Sequence, residues 1–358
     1  MAQDAPSSRD VRGPFPLGRF WRSPWGLLFL VLLVVGTSYA LMRRASYVYR
    51  TSEGPIFGTF YHVKYNFSSS LDEAILEELQ RVDSSLSLFN PQSTLSRINR
   101  NETDAADDML TAVFETARKV SEATDGAFDI TVAPLVNAWG FGFKTDSLPS
   151  PERVDSLRAL VGYKQVSLKN GKIKKARPEM MLDLGAIAKG FAVDRVAQML
   201  RKRGVRDYMV EIGGEIVVSG KNAAGKKWTI GVEEPIDNAD GVSDQLQAML
   251  ALSHGALATS GNYHNFYIKD GKKYAHTIDP RTGFPVEHGM LSASVYAPNC
   301  ATADAYATAL MVLGVEGAEK VLSVNKQLEI YLIYEEDGEQ KEYSSAGWDA
   351  LLQPAENR

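Results

Sequence analysis

Apolar residues recur at helical spacing in several stretches of the chain. Leu71, Ile75, Leu76, Leu79, Val82 and Leu86 predict an amphipathic helix within residues 71–98, which closes on the loop chemistry of "SLSLFNPQSTLSRINR" and a second short helix. Met109–Thr124 predicts another helix. "GAIAKGFAVDRVAQMLRKRG" predicts one that opens on glycine and stops at Gly204. Asn299–Gly314, "NCATADAYATALMVLG", predicts an apolar helix followed by "GAEKVLSVN". Two short strands joined by a turn are expected in residues 51–66. Further strands are expected in Val166–Leu184, in "YMVEIGGEIVVSG" and "KKWTIGVEEP", in short pieces across 242–298, and in "LEIYLIY". Phe128–Trp139 carries a proline and runs into the loop "GFGFKTDSLPSPE". Helices and strands are mixed without a regular βαβ alternation and without internal repeats, which favours an α+β fold over a doubly wound sheet.

Trp25–Met42, "WGLLFLVLLVVGTSYALM", has no polar face and no charge. At about 18 residues it reaches the lower limit for a membrane-spanning helix. Arg9, Arg12, Arg19 and Arg22 favour a cytoplasmic N-terminus, with the following domain beyond the inner membrane; Arg43 and Arg44 act in the opposite sense. Ser38-Tyr39-Ala40 has the small-residue spacing of a signal-peptide cleavage site, but the long polar lead and long apolar run favour an uncleaved anchor. No cysteine follows the run, so a lipoprotein anchor is excluded. The expected organisation is a tail and signal anchor over 1–45 and one catalytic domain over 46–358.

The 358 residues allow a sizeable core, and 44% hydrophobic with 23% charged residues is ordinary for a globular chain. The net charge of −5, with no basic stripe interleaved with aromatics, argues against nucleic acid as a partner. A single cysteine, Cys300, excludes an intrachain disulfide framework and Cys-rich zinc or iron–sulfur sites. Its neighbours Asn299 and Ala301 suit a small buried filler, with a reactive thiol as the other reading.

Three places carry candidate chemistry. Asp304 and Thr308 lie four apart, so they share one face of an otherwise apolar helix. One carboxylate and one hydroxyl, without nitrogen or sulfur ligands beside them, suit Mg²⁺ held together with waters and phosphates; otherwise Asp304 is a buried carboxylate that needs donors of its own. In "MLDLGAIAKGF" an acidic residue, a turn of small residues and a helix start offer backbone amides and Lys189 to an anion such as phosphate. The plain alternative is a strand–turn–helix with a solvent-facing lysine. In "YAHTIDPRTGFPVEHG", His276 precedes a turn, where it can serve as a general base or merely cap the turn. The other histidines lack metal-ligand spacing.

Taken together, and in this order, "GTFYHVKY", "SLFNPQSTLSRIN", "GAFDITVAPLVNAWGFG", "LDLGAIAKGFAVD", "EIGGEI", "ATSGNY", "HTIDPRTGFPV" and "ATADAYATALMVLG" resemble the ApbE family of FAD:protein FMN transferases across residues 54–334. The resemblance implies an ApbE-like (T-fold-like) mixed sheet-and-helix domain. It implies Mg²⁺-dependent transfer of the FMN half of FAD to a Ser or Thr hydroxyl of an acceptor protein, with AMP leaving. By that resemblance Asp304, Thr308 and the carbonyl of Ala186 hold Mg²⁺. Phe57, Phe89, Ala127, Phe128, Asp129, Asp183, Lys189 and Ile278 contact FAD, and His276 assists transfer with Asp304 or Asp183 in reserve. Phe57 and Phe89 stand where relatives often carry Met and Tyr, so the phenol is lost at Phe89. Ala186 and Ala307 stand where some relatives carry Thr and Asp, which leaves fewer side-chain oxygens and implies weak metal binding without nucleotide. No acceptor stretch lies in this chain, so the acceptor is expected to be a separate protein, a membrane redox subunit facing the same compartment. An FAD diphosphatase and a non-catalytic periplasmic flavin-binding protein are the alternatives.

Overall fold

The computed structural model describes residues 24–45, 48–142, 148–235, 246–262, 266–269 and 272–353. By its contacts the chain divides into two units, at Val48 and Tyr49.

The first unit contains helix α1 (Pro24–Ala45). Trp25 and all of Leu27–Val35 are exposed around it. Thr37 turns its hydroxyl back onto the carbonyls of Leu33 and Val34, at 2.7 and 3.1 Å. Among the described residues no helix is long and apolar enough to cross a membrane. The stretch Trp25–Met42 expected to span the membrane lies within this helix. Residues 1–23, with the four arginines, and the side chains beyond Ser38 lie outside the described residues.

The second unit is built on an eight-stranded sheet. Its first hairpin pairs β1 (Tyr49–Ile56) with β2 (Thr59–Asn66) through the two-residue turn Phe57-Gly58, both at positive φ (50° and 77°). That is the turn whose twist matches the strands, and Gly58 accepts it readily. In β2 Tyr61, Val63 and Tyr65 point inward and His62 and Lys64 outward, the alternation expected of a half-buried strand. Helices α2 (Asp72–Leu86), α3 (Thr94–Asn99), α4 (Asp108–Ala123), α5 (Ala133–Ala138) and α6 (Pro151–Arg158) follow. Next come the small hairpin β3 (Val166–Lys169) and β4 (Lys172–Lys175), helix α7 (Ala188–Lys202), and strands β5 (Tyr208–Ile212), β6 (Glu215–Ser219), β7 (Trp228–Glu233), β8 (Leu246–Leu252) and β9 (His254–Gly261). Hairpin β10 (Phe266–Lys269) and β11 (Lys272–Ala275), strand β12 (Met290–Ala297), helix α8 (Cys300–Val324), and strands β13 (Glu329–Glu336) and β14 (Glu339–Ser344) complete the described elements.

The sheet order is β1-β2-β5-β6-β9-β12-β13-β14, and every neighbouring pair is antiparallel. One face packs on α2, α4, α7 and α8 through Val63, Val210, Ile212, Ala258, Val295 and Ile330. The other face is covered by the β7–β8 ribbon and Trp348, which stacks on Tyr331 at 5.3 Å. This is the α+β class the pattern predicts.

Three local expectations change. Only the front of Val166–Leu184 is strand. Leu182 instead pairs with the amide side chain of Asn99, which donates to its carbonyl and accepts from its N–H at 2.8 Å each, so a side chain replaces a neighbouring strand. A short helix, α5, occupies part of Phe128–Trp139, with Pro134 near its start where a missing N–H costs little. The helix expected to end near Gly314 continues to Val324, but Gly314 (φ 68°, ψ −169°) breaks its path at that point.

Candidate active site

The site forms where α7 begins and the first turns of α8 meet it. The Asp304 carboxylate is buried and accepts the Gly190 N–H at 3.0 Å. Approach this close requires glycine: a Cβ on residue 190 would stand 2.4 Å from the Cys300 carbonyl oxygen and 2.8 Å from Asp304 Cβ. Asp304 thus lies at the 183–190 turn, as the resemblance requires. The amides of Ile187 and Ala188 are already bonded to the Leu184 carbonyl. The helix start is therefore less open to phosphate than its small residues suggest.

Lys189 does not face solvent as a lone charge. Its ammonium lies 2.5 Å from Glu215 Oε1, on the first residue of β6. Burial opposes the Lys189 charge, but Glu215 and Asp304 outweigh it and hold its pKa above the usual lysine value. Burial, then the Asp304 charge, pushes the Glu215 carboxyl up to about 8. Its second oxygen is buried with no hydrogen-bond partner among the described residues. Burial likewise raises Asp304, with Lys189 opposing. Two carboxyl groups around one ammonium resist ionising together, and a cation beside them would favour the charged form of both. Thr308, one turn beyond Asp304, is 3.3 Å from the Ser260 hydroxyl on β9. Among the described residues no group of three His, Cys, Asp or Glu side chains is placed to hold a metal. Any cation here therefore relies on one carboxylate with hydroxyl, carbonyl and water oxygens, the donor set Mg²⁺ accepts.

From Lys189 a cleft of about 840 Å³ runs past Asp183, Gly185 and Ala188 to Phe57, Phe89, Val136, Asn137 and Phe141. That volume lies in the range of about 300–1,000 Å³ usual for cofactor sites. Phe89 is 79% exposed and Phe57 is held at φ 50°, a conformation uncommon for a residue with a Cβ, so both aromatics are presented at the cleft. Burial raises Asp183, although its carboxylate accepts the Gly185 N–H at 2.8 Å. His276 is half-buried, its ring 6.3 Å from that of Phe141. The following residue fixes its loop, since Thr277 donates to Asn262 Oδ1 at 2.7 Å.

Ala127, Phe128, Asp129 and Ile278 are not among the residues that line the cleft. Ala127 and Phe128 are buried. The Asp129 carboxylate is occupied by the Thr131 N–H and hydroxyl and by the Tyr163 N–H, at 2.8, 2.6 and 2.6 Å. Ile278 packs with Leu135 and Trp139, and Trp139 donates to the Gly283 carbonyl at 2.8 Å. Ile278 shares its cluster with Val136 and Phe141 of the cleft wall. Cys300 is buried, and burial raises its thiol well above the ordinary value, in keeping with the filler reading.

Sequence reasoning assigned no role to Gly190, Asp194, Glu215 or Ser260. Glu215 leaves a signal, as an acidic residue at an inward position of an apolar strand. Asp194 leaves another, as an acidic residue four after Gly190 and next to the buried Ala192 and Val193. Its carboxylate accepts the N–H groups of Cys300 and Ala301 at 2.9 Å each. Burial nevertheless pushes Asp194 up to about 6. A folded value above that of the unfolded chain means the group favours folding at low pH, and this contribution is lost as pH rises from about 4 through about 6. Asp194→Asn is expected to flatten the fall of unfolding free energy across that window; urea unfolding without added metal measures it, and parallel pH profiles would remove the assignment.

Residues 57–332 match the ApbE family. The chain is 36% identical over 344 residues to the FAD:protein FMN transferase of Haemophilus influenzae, covering 91% of this chain and 98% of that protein. It is 37% identical over 310 residues to the FAD:protein FMN transferase of Vibrio cholerae, covering 84% and 91%. The flavin transferase ApbE from Vibrio cholerae superposes with a TM-score of 0.77 at 35% identity, over 86% of this chain and all of that one (100%). The Pseudomonas stutzeri flavinyl transferase ApbE superposes with 0.76 at 31% identity, over 86% and 97%. The chain belongs to the ApbE family.

Proposed function

We propose that this chain is an FAD:protein FMN transferase: it moves the FMN half of FAD onto a Ser or Thr hydroxyl of an acceptor protein and releases AMP. One observation carries the reading above the others. Lys189 lines one end of a cleft whose other end is aromatic, and the Asp304 carboxylate meets the same helix start at the Gly190 N–H. That suits a ligand with a charged diphosphate and flat rings. The names of the relatives support the same reaction.

The donor set fits Mg²⁺, with Asp304, Thr308 and the Ala186 carbonyl as protein ligands. When bound, the ion offsets the diphosphate charge and polarises the phosphorus under attack. The side chains do the rest. Phe57 and Phe89 stack on the ring systems and keep water from them. Lys189, held by Glu215, presents positive charge to the phosphates. A ring nitrogen of His276 takes the proton of the acceptor hydroxyl as its oxygen bonds to the FMN phosphorus, and the bond from that phosphorus to AMP breaks. The exposed apolar side chains Trp25 and Leu27–Val35 of helix α1, together with the arginines before it, support a single-pass anchor in the inner membrane with the second unit on the periplasmic side. A membrane redox subunit facing that compartment is the acceptor this arrangement favours.

Incubation with FAD, Mg²⁺ and an acceptor carrying a Ser or Thr flavinylation motif is expected to add one FMN mass to that residue, read by mass spectrometry, and to stop with chelator. Free FMN without adduct indicates an FAD diphosphatase instead, and an unchanged FAD pool a passive flavin binder.

A further inference from the structure

Helices α7 and α8 exchange carboxylates. Asp304 of α8 accepts the Gly190 N–H in the first turn of α7, at 3.0 Å. One turn further along α7, Asp194 accepts the N–H groups of Cys300 and Ala301, the first two residues of α8, at 2.9 Å each. Each acid thus meets unpaired amides at the positive end of the other helix. Gly190 and Asp194 lie four apart on one face of α7, and Gly190 brings that face into backbone contact with Cys300. Gly190 sets how near the helices come. Asp194 ties down the rotation and axial position of α8, because its two oxygens grip two successive amides.

We infer that Asp194 is a positioning residue: by holding the start of α8 it delivers Asp304, one turn further on, to the start of α7. Burial makes the charged form of Asp194 costly rather than favourable, so its part in this joint is placement rather than stability. The step from placement to catalysis rests on the transferase reading above; the placement itself does not.

Hydrogen exchange at residue resolution on the full chain separates the two. In Asp194→Ala the Gly190 amide, which does not touch residue 194, is expected to exchange at least about tenfold faster, because its Asp304 partner is displaced. The Phe191 amide, bonded to the Ile187 carbonyl at 2.9 Å, is expected to keep its rate within about twofold. Unchanged Gly190 exchange overturns the inference, and so does equal loss at Gly190 and Phe191, which is general loosening of α7. If the alanine variant does not fold, Asp194→Asn serves, since it keeps one acceptor oxygen; Gly190 exchange about threefold faster, at an unlowered melting temperature, is then expected, and a wild-type rate overturns the inference. In the transferase assay either variant is expected to lose about ten- to a hundredfold in kcat, with the KM for FAD within about threefold. An inactive wild-type protein whose Asp194 variants still expose Gly190 counts against the transferase reading and in favour of the positioning role.

Discussion

Asp304→Asn is expected to lower FMN transfer on the order of a hundred- to a thousandfold, the usual cost of losing a charge-stabilising group from an enclosed site. The asparagine keeps the shape and can still accept the Gly190 N–H, so the helix joint survives while the anionic charge is lost. The same change is expected not to weaken the metal-free fold. Burial holds the Asp304 carboxyl above its ordinary value, so its charge is a cost in the folded state. Removing a costly charge leaves stability equal or higher. The two readouts should therefore part: activity collapses, while the melting temperature without metal stays level or rises. The rise in melting temperature on adding Mg²⁺ and FAD to the wild type should shrink in the variant, because a ligand stabilises only as far as it binds. A variant that melts early and regains activity on cooling would make Asp304 a structural residue and remove the metal assignment.

Gly190→Ala is expected to be damaging out of proportion to the single methyl group it adds. The added Cβ would meet the Cys300 carbonyl oxygen at 2.4 Å and Asp304 Cβ at 2.8 Å. Neither neighbour is a flexible tip; one is backbone in the first turn of α8 and the other is the root of the Asp304 side chain. The helices must separate, which is expected to cost about 2–3 kcal/mol by the usual scale of overpacking. Alanine favours a helix more than glycine by roughly 1 kcal/mol, so propensity alone predicts the opposite sign. The sign of the stability change, read by urea unfolding, decides between them. Activity is expected to fall by about a hundredfold even at temperatures where the variant is folded, since Asp304 moves with α8.

The contrast between those two variants reflects the way the site is assembled. Glu215 and Lys189 form a buried ion pair from a strand and a helix, and Asp304 adds a second carboxylate to the same small volume. Such a cluster is unfavourable as a stability element and useful as a receptor for a cation and a polyanionic ligand. Asp129 illustrates the opposite case. Its carboxylate is used up by the Thr131 and Tyr163 amides and the Thr131 hydroxyl, so it anchors the loop that frames the cleft.

What could be read from the residues alone was whatever depends on neighbours in the chain. The alternation in β2, the i, i+4 spacing in α2 and α4, the glycine at the β1–β2 turn and the break at Gly314 are all local, and each leaves its period or its punctuation in the sequence. So does the pairing of Asp304 with Thr308 on one helix face. Only the tertiary structure decided how the ends of distant elements meet: Gly190 with Asp304, Asp194 with Cys300 and Ala301, Lys189 with Glu215, and Asn99 standing in for a strand beside Leu182. Those contacts depend on how α7 and α8 pack on the sheet, which no periodicity encodes. A glycine that permits close approach, or a carboxylate that caps another helix, reads in one dimension as an ordinary residue. It acquires its meaning from the group that the fold brings within about 3 Å of it.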